Sequence, residues 1–267
     1  MVRPMVLRGT FDEAPELYHR VRPGYPEEAF EDLATLARLR PGSRVLEIGC
    51  GTGQATVPLA ARGFEVVAVE LGAGLAKVAR RNLAAFPAVD IVNAAFEEWP
   101  LPPAPFDAVV AATSFHWLDP NVRLAKVSDA LVPGGALALI CTHHVAGGDG
   151  PFFAEVQRCY ETWMPDTPKG LRLPNASEVP HHGEDLEASG QFTNAVFRRH
   201  ERELTYITRE YRDLLLSYSN HRALASDARE GLLACIGELI DMRFGGRIAK
   251  RYMTELTVAY HTRPSDR

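Results

Sequence analysis

Apolar positions along this chain alternate between two periods. Unbroken apolar or nearly apolar runs occur at Arg44–Ile48, Phe64–Glu70, Phe106–Ala112 and Ala136–Cys141, with a shorter one at Val89–Val92. Runs of this length without polar alternation predict strands covered on both faces. Between them the apolar residues recur at helical spacing. Phe30, Leu33, Leu36 and Ala37 mark a helix over 27–39, and further helices are predicted at Gln54–Ala61, Gly72–Phe86 and Asp119–Leu131. Pro41-Gly42, Gly63 and Pro133-Gly134-Gly135 punctuate the pattern. Strands separated by helices of this length form βαβ units with right-handed crossovers, hence a parallel sheet. Ligands of such sheets bind beyond the carboxyl ends of the strands. Residues that carry chemistry are therefore expected just after each strand.

The pattern changes beyond Thr142. A helix is predicted at Pro151–Trp163, a long surface loop at 164–190, and a strand at Phe192–Ile207. Helices follow at Tyr211–Tyr218 and Asp227–Phe244, and an imperfectly alternating last strand at Tyr252–Tyr260.

Composition narrows the class. Hydrophobic residues make up 46% of 267 and charged residues 24%, as in an ordinary globular protein. No apolar run reaches the roughly 18–20 residues that span a membrane, and Met1–Phe11 has no apolar core of a secretory signal. A cytoplasmic protein without membrane partners is expected. Net charge is −5, with the mildly basic tail alternating in sign, so no basic stripe for nucleic acid is evident. The four cysteines, Cys50, Cys141, Cys159 and Cys235, form no C-x-x-C pair and are expected as reduced thiols. Adjacent histidines on an extended segment point to opposite faces, so neither His143-His144 nor His181-His182 is expected to chelate metal.

The chemistry concentrates at Val45-Leu46-Glu47-Ile48-Gly49-Cys50-Gly51-Thr52-Gly53. It combines a strand, a glycine-rich turn and a helix starting near Gln54. Glycines let the backbone turn tightly and approach a ligand, and the helix start offers free N–H groups. The dinucleotide fingerprint G-x-G-x-x-G/A fails, because the third position is Gln54 counted from Gly49 and Thr56 counted from Gly51. There is no G-x-x-x-x-G-K-[ST] phosphate loop either. The remaining pattern, E-x-G-x-G-x-G, resembles that of class I S-adenosylmethionine-dependent methyltransferases. Phe115-His116-Trp117-Leu118-Asp119-Pro120 and the segment Tyr18–Pro26, Y-x-x-x-R-P-x-Y-P, are similar to the trans-aconitate-methyltransferase-like branch.

This resemblance implies a Rossmann-like, doubly wound α/β fold. Its sheet would have seven mostly parallel strands with one antiparallel strand, and a helical lid at 208–250. A cofactor-binding core would cover 1–142, and 143–267 would complete the sheet and the substrate region. The implied cofactor is S-adenosylmethionine, held by Glu47, Gly49, Gly51, Gly53 and Gln54 at the turn. Glu70, 19 residues after Gly51, would accept from the ribose hydroxyls, beside Leu71. Ala95 departs from the family pattern, which often places an acid there for the adenine amino group. The contact would then fall to the backbone of Ala95-Phe96-Glu97, with Phe96 packing on the ring or in the core. Tyr18 and Arg22 would approach the methionine end, with Ser114 and Phe115 after the fourth strand. His116 is a general-base candidate or a pocket wall, and Trp117 joins it toward the acceptor. The function implied is in-line methyl transfer to a small-molecule acceptor. The alternatives are an RNA or protein methyltransferase, or a cofactor-binding module without catalysis.

Overall fold

The computed structural model describes residues 8–181 and 184–262; Met1–Leu7 and His182 lie outside them. The sheet has seven strands in the order β3-β2-β1-β4-β5-β7-β6. The strands are β1 (Arg44–Ile48), β2 (Glu65–Glu70), β3 (Val89–Asn93), β4 (Phe106–Ala112), β5 (Leu131–Gly148), β6 (Phe192–Ile207) and β7 (Arg247–His261). The first five pair in parallel, and β7 runs antiparallel to both β5 and β6. The sheet is thus α/β, mostly parallel and doubly wound, as the apolar runs implied. The chain reverses direction in strand order between β1 and β4, which opens a crevice at their carboxyl ends.

Neighbouring strand residues face opposite layers. Val45, Val66 and Ala108 pack with Phe30 and Leu33 of α2 (Glu27–Leu36), Leu59 of α3 (Thr56–Ala61) and Ala76 and Ala79 of α4 (Ala73–Asn82). Leu46, Val69 and Val109 pack on the other side with Val127 and Ala130 of α5 (Arg123–Ala130). Burial on both faces explains why the first strands lack polar alternation. A third apolar cluster joins α6 (Gly150–Glu155), α7 (Gln157–Trp163), α9 (Thr208–Leu216) and α11 (Ser226–Arg243) to Tyr206, Ile248 and Tyr252 of β6 and β7.

The structure departs from the sequence expectations in identifiable places. β5 continues to Gly148 instead of ending at Cys141, because the antiparallel β7 pairs with it through His144 and again at Gly148. Pro133-Gly134-Gly135 is an irregularity within β5, where Phe106 pairs with Leu131 but Ala108 pairs with Ala136. The helix expected at 151–163 is two, α6 and α7. The 164–190 region contains a short 3-10 turn and α8 (Glu184–Ala188). Before α2, the chain forms a 3-10 turn, Arg8–Glu13, and helix α1 (Pro15–Val21), neither of which the periodicity indicated. The cysteine expectation also fails in part. Cys159 of α7 and Cys235 of α11 form a disulfide, with Cα atoms 5.8 Å apart, while Cys50 and Cys141 are free. A rule based on local spacing cannot register a pair 76 residues apart in sequence that is brought together by helix packing.

Candidate active site

The turn after β1 is left-handed at each alternate glycine, with φ +72° at Gly49, +59° at Gly51 and +96° at Gly53. L-residues with a side chain rarely adopt these angles. At Gly49 space is also lacking, since a Cβ there would lie 2.7 Å from Ser114 Cβ. Glu70, at the end of β2, fixes the turn. Its Oε2 accepts from the Gly51 N–H at 2.8 Å and its Oε1 from the Gly72 N–H at 2.7 Å. Burial raises the carboxyl pKa, and the N–H groups of Gly72 and Gly51 oppose that shift. Each carboxylate oxygen has a second acceptor site, and Glu70 lines a cavity of about 280 Å³ at the carboxyl ends of β1, β2 and β4.

That cavity gathers most of the residues singled out from sequence. Tyr18, Arg22, Gly49, Gly51, Glu70, Leu71, Ala95, Phe96, Glu97, Ser114, His116 and Trp117 all line it. Glu47 and Gln54 line an adjoining cavity of about 90 Å³, which shares Tyr18, Arg22, Gly49 and Gly51 with the first. Gly53 lines neither: it packs toward Leu83 and serves the turn itself. Phe115 lines neither as well. It is buried in the second apolar layer, with the Arg123 guanidinium 4.8 Å over its ring. The two readings of Phe96 merge, because it belongs to the buried layer and also lines the cavity.

The floor after β4 is strained. Thr113 is β-branched yet has φ +55°, a conformation that costs of order 1–3 kcal/mol and persists only when its surroundings hold it. Its N–H donates to Ile140 O at 2.7 Å, and Tyr25 Oη donates to its Oγ1 at 3.1 Å. Ser114 Oγ then reaches Ile48 O at 2.5 Å, tying β4 to the glycine turn. His116 follows in a 3-10 turn at the cavity rim, its ring centroid 4.8 Å from that of Trp117. Partial desolvation and the Arg123 charge lower its pKa, so the imidazole is neutral at pH 7 and can accept a proton.

Four polar atoms of residues lining the two cavities lack partners, one of them Glu97 Oε2. Glu47 is 1% exposed, and its Oε2 has no hydrogen bond. Burial, with Glu70 nearby, pushes its carboxyl up to about 7, against an opposing effect of Thr56. Arg22 Nε and Gln54 Nε2 are also buried without partners. A buried polar atom left unpaired costs of order 1–3 kcal/mol, so four around one region mark a place where a polar ligand is accommodated. Among the described residues, no group of three His, Cys, Asp or Glu side chains could hold a metal ion.

The walls come largely from residues that the sequence reading did not single out. Phe11 of the Arg8–Glu13 turn stands 5.5 Å from Trp117, edge to face. Asp12 Oδ1 accepts from the Leu75 N–H at 2.7 Å, docking this turn on the start of α4. Arg8 reaches Glu97 Oε1 at 2.8 Å. The opposite wall is Tyr218, Ser219 and Asn220, between α9 and the start of α10 (Ser219–Arg222). Arg22 spans the two walls, donating to Ser217 O at 2.7 Å with its guanidinium 4.5 Å over the Tyr218 ring and 5.1 Å over that of Tyr18. The expected lid at 208–250 contains Tyr218, whereas only the aromatic character of Phe11 could have hinted at the other wall.

Comparison with known proteins agrees with this geometry. Residues 45–135, from the glycine turn through the start of β5, match the family model of a methyltransferase domain. An uncharacterised methyltransferase of Mycobacterium tuberculosis is 39% identical over 131 residues, 49% of this chain and 51% of that protein. The trans-aconitate 2-methyltransferase of Paracidovorax citrulli is 34% identical over 48% of this chain and 49% of its own length. The chain therefore spans about half the length of these curated relatives. Among solved structures, a putative type II methyltransferase from Anaeromyxobacter dehalogenans superposes with a TM-score of 0.60 at 25% identity, covering 90% of this chain and 97% of that one. Residues 45–135 thus carry a methyltransferase domain, set in a fold shared with the Anaeromyxobacter protein.

Proposed function

We propose that this protein transfers a methyl group from S-adenosylmethionine to a small-molecule acceptor. The observation that carries this reading is the Glu70 carboxylate, held in place by the Gly51 and Gly72 N–H groups while it faces the cavity. A ribose offers two neighbouring hydroxyls to such a group. The unpartnered atoms of the adjoining cavity suit an amino-acid terminus. Arg22 would take its carboxylate through a charged hydrogen bond, and Glu47 would accept from its ammonium. Leu71, the backbone of Ala95 and Glu97, and the Phe96 ring would hold the adenine. Ser114 keeps the β4 end against the Gly49 turn.

When bound, S-adenosylmethionine supplies an electrophilic sulfonium methyl. The residues of this chain position the acceptor and exclude water. Alignment at about 3 Å alone can contribute roughly 7–11 kcal/mol. His116, neutral and at the rim, would take the proton of a protic acceptor, and Trp117 and Phe11 close the site on that side. The Tyr218–Asn220 turn of the 208–250 excursion acts as the lid over the 1–142 core. A small acceptor fits cavities walled by aromatic side chains better than a polymer does.

Titration calorimetry with S-adenosylmethionine, S-adenosylhomocysteine and NAD tests the cofactor. Tight binding of NAD alone would sink the reading. A methyl-release screen over small carboxylic acids, phenols and amines tests the acceptor class. His116→Ala should then lower turnover more than cofactor affinity, and equal losses would make it a wall residue only.

A further inference from the structure

Beyond Tyr218 lies a third cavity of about 340 Å³, bounded by α7, α9, the 164–173 segment and β7. Its lining includes Val156, Met164, Leu171, Leu173 and Leu215. One amine side chain enters this space, its pKa pushed down to about 7 by burial and then by the Arg22 charge. Lys250, on β7, is 3% exposed. Its Nζ lies 5.3 Å from the Tyr252 ring centroid, 5.7 Å from Tyr211, 5.8 Å from Tyr218 and 5.9 Å from Phe153. Its Nζ has neither a salt bridge nor a hydrogen bond to any described residue, and no Asp or Glu lines the cavity. Ring faces attract an ammonium, yet they replace neither its lost hydration nor a counter-ion. The other polar groups of the chamber do not supply the missing negative charge. His144 and His221 are held neutral, chiefly by burial and then by Lys250 itself, and Tyr160 is kept protonated by burial.

The chamber communicates with the candidate active site. Tyr218 lines all three cavities, His144 lines the second and third, and Asn220 lines the first and third. Leu171, half exposed, stands on its outer wall. We infer that this chamber is the acceptor site, and that the acceptor is an amphipathic anion whose apolar body lies against Val156, Met164, Leu173 and Leu215 and whose single acidic group pairs with Lys250. The methyltransferase reading enters only in naming the occupant an acceptor; the site itself rests on the unpaired Lys250 amine and its walls.

The test uses benzoate, 3-phenylpropanoate and octanoate, each beside its uncharged primary amide. All are titrated calorimetrically into the full chain with and without S-adenosylhomocysteine. At least one acid is expected to bind about tenfold or more tightly than its amide. Lys250→Met should abolish that preference while leaving S-adenosylhomocysteine binding and the thermal transition in place. Lys250→Arg should retain it. Equal binding of acid and amide, a preference that survives Lys250→Met, or binding of none of the three acids would overturn the proposal. Loss of the methyltransferase reading looks different: acid selectivity persists, and S-adenosylhomocysteine fails to bind.

Discussion

Gly49 and Gly51 share a conformation but not a role. A methyl group at Gly49 would collide with Ser114 Cβ, whereas at Gly51 it would meet Tyr18 at an ordinary 3.5 Å. Gly49→Ala is therefore expected to push β1 and β4 apart and lower the melting temperature by several degrees. Gly51→Ala carries only the left-handed backbone cost of about 1–2 kcal/mol and should weaken cofactor binding out of proportion to its effect on melting. Calorimetry and thermal scans on both variants separate the two roles. Glu70→Ala removes the ribose acceptor and frees the glycine turn, so cofactor affinity should fall by about 1–3 kcal/mol; unchanged affinity would end its assigned role. Glu47 supplies a pH-dependent signature. At pH 6 its carboxyl, pushed up to about 7, carries a proton in the free protein. An ammonium placed against it lowers that pKa, so S-adenosylhomocysteine binding at pH 6 should release a proton and make the binding enthalpy vary with the buffer's ionisation enthalpy. The dependence should vanish in Glu47→Gln. At this scale the glycine turn and Glu70 were legible because covalent geometry and fixed spacing determine them. The inward turn of Phe115 was not, since a single 3-10 turn leaves no period to follow.

At the scale of elements, the short N-terminal turn Arg8–Glu13 buries no residue of its own, yet it supplies one wall of the site. Its removal should leave the folded core intact by circular dichroism and weaken cofactor binding by an order of magnitude. Binding unchanged by the deletion would show that Phe11 and Arg8 are bystanders. The α7–α11 staple is another element-scale device. Closing a loop of 76 residues stabilises by about 4 kcal/mol in the chain-entropy account, so Cys235→Ser should melt well below the oxidised protein and match the reduced one. β1 and β4 could be bounded from sequence because apolar runs end where polar turns begin. The length of β5 and the division of the 151–163 helix depend on partners from far along the chain, which no local pattern records.

At the scale of the molecule, the site is closed by segments from both ends of the sequence. Arg222 pairs with Glu13 at 2.6 Å, Arg20 with Asp213 at 3.3 Å, and Arg22 with Ser217 O. The two ion pairs are at least partly exposed and contribute little each, which leaves the Arg22 bond as the main tie between walls that can separate. Cofactor binding is accordingly expected to slow hydrogen exchange in residues 8–22 and 216–222 together. Protection of one segment without the other would break the coupling. The parallel half of the sheet could be inferred before any coordinates. The joint between these segments could not, because contacts more than 190 residues apart leave no trace in periodicity.

The position of β7 has a consequence for how the chain comes to be made. Among the described residues β6 bonds to no strand but β7, and β5 relies on β7 for its second edge. Until residues 247–261 leave the ribosome, a 16-residue ribbon and the open flank of the parallel half both wait for one late arrival. Unpaired strand edges recruit foreign chains, so the nascent chain is most vulnerable until β7 has emerged, and a premature stop ahead of Arg247 would yield a sticky product even though the glycine turn and its carboxylate clasp were already complete.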